Sequence, residues 1–253
     1  MFVNPILLTA NPFIEAYTQS DILGKLIFIG LYVLSICSWI VLLHKLWVTQ
    51  RIKRNAIRFQ EAFLLHKLNP LNLDCDMISS KQAVNPFLEL YKTLKKHSTD
   101  LLNKNHHFSQ LKPGAGPTSQ PVSYLSLSDI DVVAAHLSSK VAYAIKDLEQ
   151  NLYILSTTVS LAPFLGLLGT VWGILTTFSE MQNHSGGGAT HQVILGGLSL
   201  ALATTVLGLI DAIPALIGYN YLKNSIRNFA TDMDGFSNEI LAAVELQYRK
   251  VEP

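Results

Sequence analysis

Few residues able to do chemistry stand inside the apolar parts of this chain, and those few recur at helical spacing. The stretch APFLGLLGTVWGILTTF, Ala162 to Phe178, carries Thr170, Thr176 and Thr177 among the glycines Gly166, Gly169 and Gly173. At 3.6 residues per turn, Gly166, Thr170, Gly173 and Thr177 fall close to one line, with Gly169 beside it. Leu165, Leu168, Trp172 and Leu175 take the other side. A second stretch, GGLSLALATTVLGLIDAIPALIGYN, adds Thr204 and Thr205 together with the small residues Ala201, Gly208 and Ala212. It also holds Asp211, the one carboxylate well inside an apolar run. An acid in lipid costs about 3 kcal/mol and is a functional candidate by default, whereas a shallow Asp near the inner surface would be solvated and inert. The small, slightly polar stripe has two readings. It is a surface on which membrane helices approach closely, each Thr bonding its own i−4 carbonyl, or it lines an internal path that receives another helix. Pro163 and Pro214 each remove a backbone donor and mark expected kinks.

Soluble catalysis finds no support. The chain lacks a P-loop, an HExxH helix and a Gly-x-Ser-x-Gly elbow; GLSLA at Gly197 lacks the final glycine and a strand before it. Gly114-Ala115-Gly116 runs into Pro117 and reads as a loop rather than a dinucleotide turn. His106-His107 and the pair His184/His191 supply two imidazoles each, which do not close a metal site. The expectation is therefore no enzyme, no metal and no cofactor.

The elements that must position the stripe follow from composition. Of 253 residues, 49% are hydrophobic and 15% charged. The apolar residues gather into three runs, Ile22 to Trp47, Leu152 to Phe178 and Val193 to Leu222, each long enough for a bilayer core. A net charge of +1 makes no case for nucleic acid. Cations are distributed unevenly: none precedes Lys25 and none lies between Gln182 and Thr190, while Arg51 to Lys146 and Lys223 to Lys250 are rich in them. The positive-inside rule then puts the N-terminus outside and the C-terminus inside. The expected organisation is an external arm over 1–20, spans over 21–47, 151–180 and 192–222, a cytoplasmic helical loop over 48–150 that is mobile near 103–127, a short external loop over 181–191, and a cytoplasmic tail over 223–253. The first run is too long for a signal peptide and its basic flank follows it, so it reads as a retained span. Cys37 and Cys75 suggest neither a disulfide nor a metal site.

Local patterns refine this. Asn11-Pro12 predicts a short interfacial helix from Pro12 to Ser20. Trp39, His44, Lys45 and Trp47 mark the inner end of the first span, where rings and snorkelling amines favour the headgroups. Helical spacing continues through Ile52, Ala56, Phe59, Phe63 and Leu64 and stops at Asn69-Pro70; a second piece runs from Pro86 to His97 with Phe87, Leu90, Tyr91 and Leu94 on one face. A helix capped by Ser128, with Asp129 and Asp131 in its first turn, is expected to enter the second span unbroken. The third span continues into Ile226, Phe229, Met233, Phe236, Ile240, Leu241, Val244 and Leu246, with a bend at Asp232, Asp234 and Gly235. The fold class is thus an all-α membrane protein with three transmembrane helices, N-out and C-in, whose long helices extend into the cytoplasm.

APFLGLLGTVWGI, followed by LALATTVLGLIDAIPALIGYN, resembles the paired core of the TolQ/ExbB family of proton channel subunits, related to the flagellar motor protein MotA; SW at Ser38-Trp39 and TVWGI lean toward TolQ. The resemblance implies a bacterial inner-membrane pentamer around a TolR- or ExbD-like single-span partner that brings a proton-carrying Asp, with a TolA/TonB-like protein driven across the periplasm. It implies pore threonines at Thr170 and Thr205; Thr177, Thr204 and Asp211 are further pathway candidates on this chain's own residues, Asp211 standing where the family commonly has a small residue. Gly166, Gly169, Gly173, Ala201, Gly208 and Ala212 would pack around the partner. Where the resembled family carries Glu in GIAEALIAT, this chain has Leu200 in GLSLALATT. Asp211 stands three turns, about 16 Å, further inward. Two functions follow: a proton-conducting, force-transmitting subunit of a Tol-type or ExbB-type system, or a scaffold pentamer that holds a partner without conduction. A midplane transporter would want paired broken helices in repeats, which the sequence lacks.

Overall fold

The computed structural model describes residues 12–65, 70–73, 85–110, 124–183 and 190–249. These residues are helical almost throughout: α1 Pro12–Gln19, α2 Ile22–Leu65, α3 Pro86–Gln110, α4 Leu127–Glu149, α5 Leu152–Asn183 and α6 Thr190–Tyr248. Among the described residues the sole β pairing is an isolated bridge between Leu125 and Arg249. Three helices, α2, α5 and α6, are long and apolar enough to cross a membrane. The protein is an all-α membrane protein, as its composition implies.

The chain divides into two compact units, Met1–Lys45 with Asn151–Tyr221, and Leu46–Gln150 with Leu222–Pro253. The first holds the apolar parts of α2, α5 and α6 and is called the span unit below. The second contains α3 and α4 and is called the basic unit, after its lysines and arginines.

In the basic unit large side chains form the core. Phe87 stacks on Phe236 with centroids 4.5 Å apart and on Phe229 at 5.7 Å. Phe59 and Phe63 meet both Tyr91 and Phe236. Buried Tyr91 accepts from the Leu73 amide at 3.2 Å, which satisfies a polar group the aromatic core would otherwise strand. Asn85 ties the start of α3 to α2, accepting from the Phe87 amide and donating to the Asn55 carbonyl at 3.1 Å each. Glu89 on α3 reaches Lys140 on α4 at 3.4 Å.

Three local expectations are corrected here. The helix from Pro86 runs to Gln110 rather than His97, so the first part of the segment expected to be mobile, 103–110, is helical; 111–123 lie outside the described residues. The cap of α4 is Ser126, not Ser128: Ser126 accepts from the Asp129 amide while Asp129 accepts from the Ser126 amide, a reciprocal capping box. The helix does not enter the second span unbroken. It ends at Glu149, and Asn151 adopts φ 67°, a left-handed conformation that Asn tolerates and that stops propagation before α5 begins at Leu152. As expected, α6 continues past Asp232 to Gly235, as one helix to Tyr248.

In the span unit the packing atoms are small. A Cβ on Gly208 would stand 2.6 Å from the Ala162 carbonyl oxygen, and one on Gly166 3.0 Å from that of Thr204. These glycines let the backbones of α5 and α6 touch, which a larger residue prevents. Large apolar side chains point the other way: Phe164, Leu167, Val171, Phe178, Leu202, Ile213 and Ile217 are all exposed. That inside-out arrangement suits a lipid surrounding.

Candidate functional site

The two threonines marked by the sequence meet. Thr170 on α5 and Thr205 on α6 share a short hydroxyl–hydroxyl hydrogen bond. Both also reach the same two carbonyls, Gly166 O (3.1 Å from Thr170, 3.2 Å from Thr205) and Ala201 O (3.4 Å from each). Helical sequence places them so. Each hydroxyl returns to the carbonyl of its own preceding turn, the usual resort of Thr in a membrane helix. Gly166 then brings α6 close enough for each to reach across as well.

The cluster has spare capacity. Two hydroxyls supply two donated protons between them, yet each oxygen has two lone pairs. Both threonines are half-buried, so a third group can approach. Because a hydroxyl rotates, the pair can accept from a carboxylic acid or from water and donate to a carboxylate. It therefore suits a neighbour that gains and loses a proton.

The remaining stripe residues serve the approach of α5 and α6. Thr204 is fully buried and bonds Ala201 O at 3.0 Å, with Gly166 O at 3.4 Å; its side chain fills the space a Cβ on Gly169 would need. Thr177 bonds Gly173 O at 2.7 Å and lies against Gly197. A Cβ on Gly173 would meet Ala201 Cβ at 3.2 Å. Ala212 is buried with Ile27, Leu31 and Ala162. Pro163 and Pro214 lie inside α5 and α6, both of which remain helical through them.

Asp211 is not brought to this cluster. It is 8% exposed and has a side-chain hydrogen bond with Ser35 of α2. Six residues separate it from Thr205, which turns it about 120° away, whereas it lies about 20° from the lines of Thr204 and Leu200. Leu200 faces α2 as well: it packs with Ala16, Phe28 and Ala203, and it approaches the place of a Cβ on Gly24. The Leu42 side chain likewise lies against Gly218. Gly24, Ser35 and Leu42 thus meet Leu200, Asp211 and Gly218 in step, eleven residues and then seven along each helix, so α2 and α6 run parallel in register.

Two residues missing from the sequence reading belong to this region. Ser35 offers no signal, since nothing local reveals the register of α2 on α6. Asp21 did offer one, an Asp just before an apolar run. Its Oδ1 accepts from the Gly24 amide at 2.9 Å, and its Oδ2 accepts from the Trp172 indole at 2.8 Å, which fastens the start of α2 to α5. Lys45, expected to snorkel, is instead 8% exposed. It stands on the side of α2 that also buries Ser38 and Leu42. Among the described residues no three His, Cys, Asp or Glu side chains gather as a metal site. His184 and Cys75 lie outside the described residues.

Three apolar helices, close glycine contacts and a hydroxyl pair between two of them define a multi-span membrane protein with a small polar seam. Residues 118–235 match the MotA/TolQ/ExbB proton channel family, so the chain carries a domain of that family. It is 25% identical to the Tol-Pal system protein TolQ of Haemophilus influenzae over 93% of this chain and 94% of that one. It is 43% identical to the biopolymer transport protein ExbB of Aquifex aeolicus over 40% of this chain and 66% of that one. With the Helicobacter pylori ExbB of strain J99 it shares 53% identity over 30% of this chain and 51% of that one. The two stronger identities thus rest on part of each relative, and relatives bear both names.

Proposed function

We propose that the chain is the channel-wall subunit of a proton-driven complex in a bacterial inner membrane, with its N-terminus outside and its basic unit in the cytoplasm. In this reading five copies surround the single helices of a TolR- or ExbD-like partner. Proton passage between the partner's carboxyl and the Thr170/Thr205 pair drives motion relayed to a TolA/TonB-like protein. The observation that carries the reading is the hydroxyl pair itself, joined across α5 and α6 and half-open on one side. The domain of a proton channel family supports the transported ion. Relatives named TolQ and ExbB both match along nearly the whole chain, at 25% and 27% identity, so they support a Tol-type and an ExbB-type role alike.

The test is proton uptake by vesicles containing the chain and its single-span partner, compared with Thr170→Val and Thr205→Val. Valine keeps the shape and removes the hydroxyl. Uptake should fall by about tenfold or more in each, the scale on which a positioned proton-handling group acts. Wild-type rates in both variants would overturn the assignment.

One observation favours a second reading. Leu200, at the position where the resembled family carries Glu, is sealed in an apolar cluster with Phe28 and Ala203. A scaffold that gathers a partner without conducting would need no acid there. In the same vesicles it would assemble with the partner and take up no protons.

A further inference from the structure

Among the described residues Asp211 is the one carboxylate of the spans that is buried, and the stripe does not use it. Its site is built by α2 and α6. Ser35 supplies the hydrogen bond. One turn further along α2, Ser38 is 5% exposed, and two turns beyond that Lys45 is 8% exposed. On an ideal helix these three lie within a sector of about 80°. The other titratable groups on the neighbouring helices stand apart: Tyr32, Cys37 and His44 of α2 are exposed, α5 has none between Tyr153 and Glu180, and α6 has none between Asp211 and Tyr219. Lys45 is ten residues from Ser35, about 15 Å along the helix, and none of the ion pairs among the described residues involves Asp211.

A buried carboxyl without a paired cation is expensive to keep charged in lipid. A structural tether between helices needs only an Asn or a second Ser, either of which avoids that cost. The single hydroxyl beside Asp211 serves both of its forms, donating to the carboxylate and accepting from the acid. Ser38 and Lys45 repeat polar groups along the same side of α2, away from Gly24 and Leu200.

We propose that Asp211 and Ser35 form a proton-exchanging site within the subunit, between its first and third spans and separate from the Thr170/Thr205 pair, reached from the Lys45 end past Ser38. Loading adds a proton from water to an Asp211 oxygen while the Ser35 hydroxyl turns from donor to acceptor; release reverses both. No other bond changes. The site rests on the channel reading only for the use made of the proton, because exchange at Asp211 is measurable without transport.

The experiment is infrared titration of the full chain with its partner in lipid vesicles, beside proton uptake by the same vesicles. A carboxyl carbonyl band should rise and fall with pH, vanish in Asp211→Asn, persist in Asp211→Glu and shift in frequency in Ser35→Ala, which removes the hydrogen bond and leaves the acid. Uptake should be lost in Asp211→Asn and partly kept in Asp211→Glu. If the band titrates in vesicles that take up no protons, this site stands and the channel function fails. A band that does not change between acid and alkaline pH, or that is unmoved by Ser35→Ala, overturns the site.

Discussion

The two units of this chain use opposite side chains to hold helices together. In the span unit the contacts are glycine, alanine and threonine, and the large residues face outward. In the basic unit Phe59, Phe63, Phe87, Tyr91 and Phe236 fill the centre, and each is at most 2% exposed. The difference follows from the surrounding medium. Water expels apolar surface, so a bulky core stabilises the helices it joins. Lipid gives no such drive, and helices within it gain from close backbone contact and shared hydrogen bonds. The small residues that permit contact also leave hydroxyls free to meet, as Thr170 and Thr205 do.

Enlarging one interior and emptying the other are the two ways to break this contrast. Phe236 touches Phe59, Phe63 and Phe87, so Phe236→Ala should cost about 3–5 kcal/mol, seen as a lower melting temperature of the full chain in detergent. An unchanged melting temperature would mean that the aromatic cluster contributes little. In the span unit the damaging change is an addition. Gly208→Ala places a methyl 2.6 Å from a backbone oxygen that cannot rotate away, and overpacking of this kind costs about 1–3 kcal/mol. Gly30 and Gly235, where a Cβ meets nothing within 4 Å, are the matched controls; their alanine variants should not be destabilised.

The sequence made the span unit more legible than the basic unit, for physical reasons. Long apolar runs announce spans, and the Gly166/Thr170/Gly173/Thr177 line needs only helical periodicity. Phe87, Leu90, Tyr91 and Leu94 were equally plain and are all buried. On α4 the buried face is less plain, because small and apolar residues occur all around that helix: Val132 is 45% exposed while Ile130, Val133, Leu137, Val141 and Leu148 are buried. The partner of Asp211 was hidden because register between distant helices leaves no local mark. The cap of α4 was ambiguous, since Ser126 with Asp129 and Ser128 with Asp131 are overlapping boxes of the same pattern. Tertiary contact decides between them. Asn105 of α3 donates to Asp129 at 2.9 Å, and the Leu125 amide donates to Tyr248 O at 2.8 Å, which fixes the chain just ahead of Ser126.

That choice gives a smaller prediction. Ser126→Ala should destabilise the start of α4 by about 1 kcal/mol and Ser128→Ala should not, as read by amide hydrogen exchange over 127–132. Burial pushes the Asp129 carboxyl up, but hydrogen bonds from Ser126 and Asn105, with Lys104 nearby, outweigh it and hold the group below the ordinary Asp value of 3.8. The cap's contribution is therefore complete above that value and is lost as pH falls below it. Protection lost in Ser128→Ala and kept in Ser126→Ala would return the cap to Ser128.

The smallest expected effect lies between α3 and α4, where His97 and His136 stack with centroids 3.9 Å apart and rings 4° from parallel. Partial burial, then the neighbouring His136 and Lys96, lower the His97 pKa from 6.5, and Asp100 opposes them weakly. A histidine lowered in the folded state binds its proton more readily once the helices separate. The contribution of the stack is therefore full above about pH 6.5 and declines as the pH falls from there through the folded-state value. Because the pair is near the surface, the loss should be small: faster amide exchange on the inner turns of α3 at mildly acid pH, with no change at pH above 7. His97→Gln should remove the dependence and leave the Glu89–Lys140 pair in place. Pairing of α3 and α4 that weakens equally in His97→Gln would place the sensitive group elsewhere on these helices. The span unit offers the matching contrast, since the Thr170/Thr205 contact contains no group that titrates in this range and its exchange rates should not follow the same curve.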